Sequence, residues 1–417
     1  MRWKIAGIAG LMAVALATAP LPGRADEPDI KIGVVATLDG AFAVLGQDAV
    51  RGVELAVAEV GGQVAGRKIT ILKASSDASP DSAIAAARKL VENDGVDVLV
   101  GPLSGDEGIA VKDYAKNHPA ITFVNGTSAA QDTTLRDPAP NFFRFTSDGA
   151  QWMAGLGDYA YKEKNYRRVA IVAEDYSFPY TQVFGFMYEF CALGGHVVTK
   201  QWVPIGQKDF SSVVAAIPQD IDAVYVALAG ADAVNFLTQM HQGGNDKPMI
   251  AGSFTADQTI LSSKGRFRDY VLGTPSAGAI ADSLDDPDWK AYVAAYRKQF
   301  PDGLGSPSLA AYTYYLNTAA LLRGLQAVNG DLSDGHQQLH AVLSKLSFKT
   351  PTGGEVHLDE NRQAVIDNFV TEIAADSDGK LYNKVIRRVV GVNQTLGMDR
   401  EKFLALGQVS RDNPSCP

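Results

Sequence analysis

Residues 30–36, Ile-Lys-Ile-Gly-Val-Val-Ala, form a near-continuous apolar run. A strand apolar on both faces suits a parallel sheet that is covered on both sides. The stretch that follows, 47–60, places Val50, Val53, Val57 and Val60 at helical spacing. Residues 68–74 read as a second strand. Ser79-Pro80-Asp81 then opens a helix with an N-cap residue, a proline in the first turn and an early acid. Its buried face is expected at Ile84, Ala87, Leu90 and Val91. Strands follow at 97–100 and 121–124, with a helix over 106–116 between them.

The same alternation restarts after Asp148. A helix over 151–164 precedes a strand at 168–173. Helix 181–193, strand 196–203, short helix 210–216, strand 223–227, helix 231–242 and strand 248–251 complete the series. Two successive β-α-β-α series indicate an α/β chain with two doubly wound lobes. Three helices (287–300, 309–328 and 335–346) and late extended segments (353–358, 368–373 and 385–392) then fit a chain that crosses between lobes several times. The expected crossings are 141–145, 271–276 and 352–358. Lobe 1 is expected to hold 26–143 plus 275–354, and lobe 2 to hold 144–274 plus 355–417.

Residues 1–25 read as a secretory signal peptide. Arg2 and Lys4 precede an apolar run over 5–19, and small residues surround a cut expected after Ala25. That run is too short for a comfortable membrane span, and no later segment reaches such a length. Cleavage removes Arg2, Lys4 and Arg24 and takes the formal charge from −9 to −12. So acidic a surface argues against nucleic acid. The remaining 392 of 417 residues exceed what one core supports. The two cysteines, Cys191 and Cys416, either pair in an oxidising compartment and pin the C-terminal tail, or stay as two thiols.

In order along the chain, several motifs resemble the periplasmic binding proteins of the leucine/isoleucine/valine type that serve ABC importers. They are Ile30-Lys31-Ile32-Gly33 with Gly40 and Gly46, Arg51-Gly52-Val53-Glu54-Leu55-Ala56, and Ala65-Gly66-Arg67-Lys68-Ile69. Val100-Gly101-Pro102-Leu103-Ser104-Gly105, Ala170-Ile171-Val172 before Asp175-Tyr176, Lys208-Asp209-Phe210-Ser211 and Asp222-Ala223-Val224-Tyr225 continue the match. The resemblance implies a type I periplasmic binding protein fold, two Rossmann-like lobes joined by three crossings. It also implies a periplasmic monomer with a small-molecule ligand and permease subunits as partners.

In open parallel sheets the ligand lies beyond the carboxyl ends of the strands. Ser104-Gly105 and Gly126-Thr127-Ser128 follow two such ends, and hydroxyls with exposed backbone N–H groups there suit a carboxylate. Plain N-capping is the competing use of Ser104. Asp106 and Glu107 share that first turn, where acids stabilise the helix dipole but can also repel an anion; if they face solvent, the carboxylate reading stands. The resemblance places Phe178, Ala229 and Phe254 across the cleft. The amino-acid binders carry an aromatic where Ala229 stands and an acid near Phe254 that pairs with the ligand's ammonium; here the nearest acid is Asp257. The available groups are instead Leu45, Tyr176, Phe178, Tyr180 and Phe254. They suit a carboxylate with an aromatic or bulky apolar body, while Glu174 and Asp175 leave a basic or amino guest open.

No Gly-x-Ser-x-Gly elbow, P-loop, complete dinucleotide fingerprint, His-Glu-x-x-His or Cys-x-x-Cys is present, so no catalytic residue, cofactor or metal is assigned. His336 and His340 lie on one helical face without an obvious third ligand and read as a solvated face. Asp285-Asp286 before Pro287 reads as a helix start. A transport receptor, a sensory ligand-binding protein of the same fold and a branched-chain amino-acid binder remain the competing functions.

Overall fold

The computed structural model describes residues 28–416, so the expected signal peptide lies outside the described residues. Among them, six strands form the first sheet, in the spatial order Gln63–Val64, Arg67–Ser76, Ile30–Thr37, Val98–Val100, Thr122–Val124 and Phe142–Phe143. All pairs are parallel apart from the hairpin of the first two. Ile30, Ile32 and Val34 are fully buried, as expected of a strand covered on both faces.

Helices Ala43–Glu59 and Leu309–Ala327 pack against each other on this lobe. Gly52 permits their approach: a Cβ there would lie 2.1 Å from the Ala311 carbonyl oxygen. The late helices therefore complete the first lobe, although they follow the second series in sequence.

The second sheet has nine strands. Its order runs Phe348–Lys349, Glu355–Leu358, Ala364–Ala375, Pro275–Gly278, Met249–Ala251, Ala223–Ala227, Arg168–Glu174 and His196–Val203, and Leu381–Val392 pairs with Ala364–Ala375. Two boundaries differ from the sequence expectation. Pro275–Gly278, assigned to lobe 1, pairs with Met249–Ala251 and Ala364–Ala375 in the second sheet. The 271–276 stretch is thus a return loop into its own sheet, held where Gly273 N donates to Ile373 O (2.8 Å). Phe348–Lys349 likewise joins the second sheet, through Glu355–Leu358.

The helix expected over 151–164 is two pieces, Gly149–Trp152 and Leu156–Lys162. Gly155 breaks it with a φ of 85°, and a Cβ there would crowd Val370 and Val389 at 3.0 Å. The break lets Gly155 N donate to Glu189 Oε1 and its carbonyl accept from Arg387.

Cys191 and Cys416 are joined, with their Cα atoms 5.4 Å apart and 225 positions between them in sequence. The tail is further held where Arg411 pairs with Asp175 (Nε–Oδ1 2.7 Å) and Lys200 Nζ donates to Pro414 O (2.9 Å). A cross-link that long restricts the unfolded chain strongly. Cys416→Ser is expected to lower unfolding free energy by about 2–5 kcal/mol. Denaturant titration checks this, and non-reducing peptide mass spectrometry should find the two cysteines in one linked species.

Candidate functional site

Strand Val98–Val100 ends at Gly101-Pro102-Leu103, and Ser104 caps helix Gly105–Lys116. The capping box is complete: Ser104 Oγ accepts from Glu107 N (3.4 Å), and Glu107 Oε2 accepts from Ser104 N (2.8 Å). Ser104 Oγ also donates to Ala78 O (3.0 Å). Its hydroxyl is occupied by the fold. Glu107 is fully buried, accepts from Thr37 Oγ1 as well (3.2 Å), and leaves Oε1 without a partner among the described residues. Burial raises its pKa against the opposing pull of these hydrogen bonds.

In the second loop the three expected residues diverge. Gly126 is packed against the Tyr314 ring, and Thr127 Oγ1 bonds Thr313 Oγ1 at 2.7 Å, so both turn into lobe 1. Ser128 is buried with no partner for its hydroxyl among the described residues. It fits only because position 108 is glycine, where a Cβ would lie 1.7 Å from Ser128 Oγ.

The second lobe meets these loops through helix Ser177–Ala192. A Cβ on Gly105 would lie 2.5 Å from Ser177 Oγ and 2.9 Å from Phe178 N, so glycine lets the two helix starts touch. Phe178, Phe254 and Trp152 form a three-ring box with centroids 5.5–6.1 Å apart and edge-to-face tilts of 73–81°. Tyr176 lies 6.2 Å from Phe178 and bridges to Phe42 of lobe 1 at the same distance. Leu45 belongs to the same buried apolar cluster.

Sequence reasoning missed Trp152. It is fully buried, and its Nε1 has no partner among the described residues. The available signal was Asp148, which caps the helix that carries it. Ala229 contributes backbone only: its N donates to Glu174 Oε1 (3.0 Å), while Glu174 Oε2 is unpartnered and burial pushes the carboxyl's pKa well up.

Two expectations fail and one condition is not met. Tyr180 does not join the box: its hydroxyl donates to Asp175, its ring sits edge-on to Trp202 at 4.8 Å, and Asp175 is held by Arg411 of the tail. Asp106 and Glu107 do not face bulk solvent. Glu107 is buried, and Asp106 Oδ1 accepts from Ser177 N of the other lobe (3.1 Å). His336 and His340 are not a solvated face, because both bond the Thr122 hydroxyl (2.8 and 3.1 Å) and His336 is buried. Asp257 has both oxygens engaged, Oδ1 by Thr259 and Oδ2 by Leu309 N (2.7 Å); burial raises its pKa to about 6.

The chain matches the family model described as periplasmic binding protein over residues 29–380. It is 26% identical over 324 residues to the Leu/Ile/Val-binding protein BraC3 of Rhizobium johnstonii, covering 76% of this chain and 82% of that one. Among solved structures it is similar to an ABC transporter substrate-binding protein from Sphaerobacter thermophilus, with a TM-score of 0.79, 28% identity and coverage of 88% and 99%. A solute-binding protein of an ABC transporter from Rhodopseudomonas palustris, in complex with 3,4-dihydroxybenzoic acid, gives a TM-score of 0.79, 25% identity and coverage of 88% and 98%. Two doubly wound lobes meeting across opposed strand ends, together with a family match over most of the length, make this chain a member of the periplasmic binding protein family.

Proposed function

We propose that this protein is the solute-binding receptor of an ABC importer, working outside the cytoplasmic membrane, and that it captures a small aromatic acid between its lobes by rotation about the crossings. The carrying observation is the ring box of Trp152, Phe178 and Phe254, together with two buried groups, Trp152 Nε1 and Ser128 Oγ, that lack partners among the described residues. Aromatic walls favour an aromatic body, and unpaired donors favour a guest that brings oxygen acceptors.

Electrostatics supports the same choice. Glu107 and Glu174 would repel an anion if charged, but burial favours the protonated form of both. An amino-acid guest needs a free carboxylate near Phe254, and Asp257 has committed both oxygens to backbone and Thr259. The dihydroxybenzoate-bound relative fits this chemistry. The leucine/isoleucine/valine-binding relatives favour the alternative, an amino-acid guest held at Glu174 Oε2.

A thermal-shift panel of benzoates, aliphatic acids and amino acids separates these readings, because a ligand raises apparent stability by RT ln(1 + [L]/Kd). Benzoates are expected to give the largest shifts. Larger shifts with amino acids would reject the aromatic acid, and chemical conversion of any compound would reject the receptor. Phe254→Ala is expected to weaken the benzoate by about 1–3 kcal/mol through lost apolar burial. Trp152→Phe, which keeps a ring and removes the N–H, is expected to weaken it by about 1 kcal/mol without lowering the Tm of the free protein. Calorimetric titration with paired melting curves checks both.

A further inference from the structure

Two aspartates reach across the lobe boundary in opposite directions. Asp106, in the first turn of helix Gly105–Lys116 of lobe 1, accepts at Oδ1 from Ser177 N (3.1 Å), the first residue of helix Ser177–Ala192 of lobe 2. Asp257 of lobe 2 accepts at Oδ2 from Leu309 N (2.7 Å), the first residue of helix Leu309–Ala327 of lobe 1. Each lobe thus supplies an anion to the N-terminus of a long helix in the other. The need is clearest at Ser177, because the N-cap residue Tyr176 makes no side-chain capping bond.

We propose that Asp106 is the residue that latches the lobes shut and that Asp257 is the pivot of the same movement. This rests on the reading that the lobes rotate about the crossings. Asp257 and Leu309 line the same small cavity as Ile280 and Asp282, which belong to the passage out of strand Pro275–Gly278. A contact beside a crossing moves little when the lobes rotate. Asp106 stands next to Gly105, where the two helix starts touch, and parting those helices opens the cleft. The anion that closes the lobes is built into the chain, so closure does not wait for a charged guest. Gly105 is part of the device, since any side chain there would hold Ser177 away from Asp106.

Small-angle X-ray scattering on the solute-free, disulfide-intact protein tests this. The wild type is expected to scatter as the compact form. Asp106→Ala is expected to shift the radius of gyration upward. Ser177→Pro removes the donated N–H along with the hydroxyl (Ser177→Ala, which loses only the hydroxyl, should stay compact), at a first-turn position where proline is tolerated and after an extended Tyr176 (φ −157°, ψ 176°). It should give the same shift, and the double variant should add nothing further. Asp257→Ala is expected to lower the Tm and leave the curve compact. Unchanged curves for both Asp106→Ala and Ser177→Pro, with melting and circular dichroism showing folded protein, overturn the latch, as does a wild type already extended. Gly105→Ala separates the latch from the larger mechanism. If that variant also leaves the curve unchanged, the lobes do not rotate at all and the capture reading falls with the latch.

Discussion

The side chain of Arg144 is the constraint on which the arrangement of lobes and site depends. It is fully buried at the end of the first crossing, where a guanidinium without partners is prohibitive. Its donors go to Ser128 O (3.2 Å), Ala130 O (2.7 Å), Thr134 Oγ1 (2.6 Å) and Gln363 Oε1, and its backbone N donates to Arg362 O (3.0 Å). One residue thereby fixes the loop that carries Ser128, the 141–145 segment between the sheets, and the turn that leads from strand Glu355–Leu358 into strand Ala364–Ala375; the 352–358 stretch expected as a third crossing is a hairpin within the second sheet. Burial lowers its pKa to about 10, with Asp148 pulling the other way, so it stays charged at neutral pH. Asp148 in turn caps helix Gly149–Trp152 and accepts from Gln394 (3.0 Å). Trp152 is the last residue of that capped helix, so the element that carries one ring of the aromatic box starts at the Arg144 network.

From this frame the cleft derives its geometry by omission of side chains. Gly105 lets two helix starts touch, Gly108 admits the Ser128 hydroxyl, and Gly230 brings lobe 2 within contact of the Ala41 carbonyl, where a Cβ would lie 2.2 Å away. Two helix N-termini facing each other carry like partial charges, which oppose the approach. Asp106 offsets this by placing a carboxylate between them. Apolar contact then adds to it, because one buried cluster runs from Ile32, Val34 and Leu45 through Tyr176 and Phe178 to Phe254 without a break at the lobe boundary.

Much of this was legible in the sequence, for physical reasons. Strands such as Ile30–Thr37 and Arg168–Glu174 announce themselves because burial on both faces demands continuous apolar runs. Ser79 and Asp286 mark helix starts because capping is local. What was not legible depends on partners far along the chain. Pro275–Gly278 is a strand because Met249–Ala251 and the distant Ala364–Ala375 flank it, and the break at Gly155 answers to Glu189, Val370 and Arg387. Tyr180 reads as a cleft aromatic in sequence, but Tyr176 is the extended N-cap outside helix Ser177–Ala192 whereas Tyr180 lies within that helix, with its ring on Trp202 and its hydroxyl on Asp175. Glu107 is legible as a first-turn acid, but its burial is not, because it depends on Thr37, seventy positions away, as well as on Ser104.

The distribution of unmet hydrogen-bonding capacity then becomes informative. Arg144, Gln363 and Asp148 are as buried as any group among the described residues, and their hydrogen bonds go to one another's segments. Glu107 Oε1, Ser128 Oγ, Trp152 Nε1, Glu174 Oε2 and Ser177 Oγ, all on segments that frame the cleft, lack partners among the described residues. Each such atom costs about 1–3 kcal/mol relative to a paired one. Unpartnered atoms also occur within the Arg144 network, at Gln394 Oε1 and Arg362 Nε, so burial without a partner does not by itself mark a site. What sets the five apart is their place on facing segments of the two lobes, where a molecule that bonds them would recover the cost the empty protein bears.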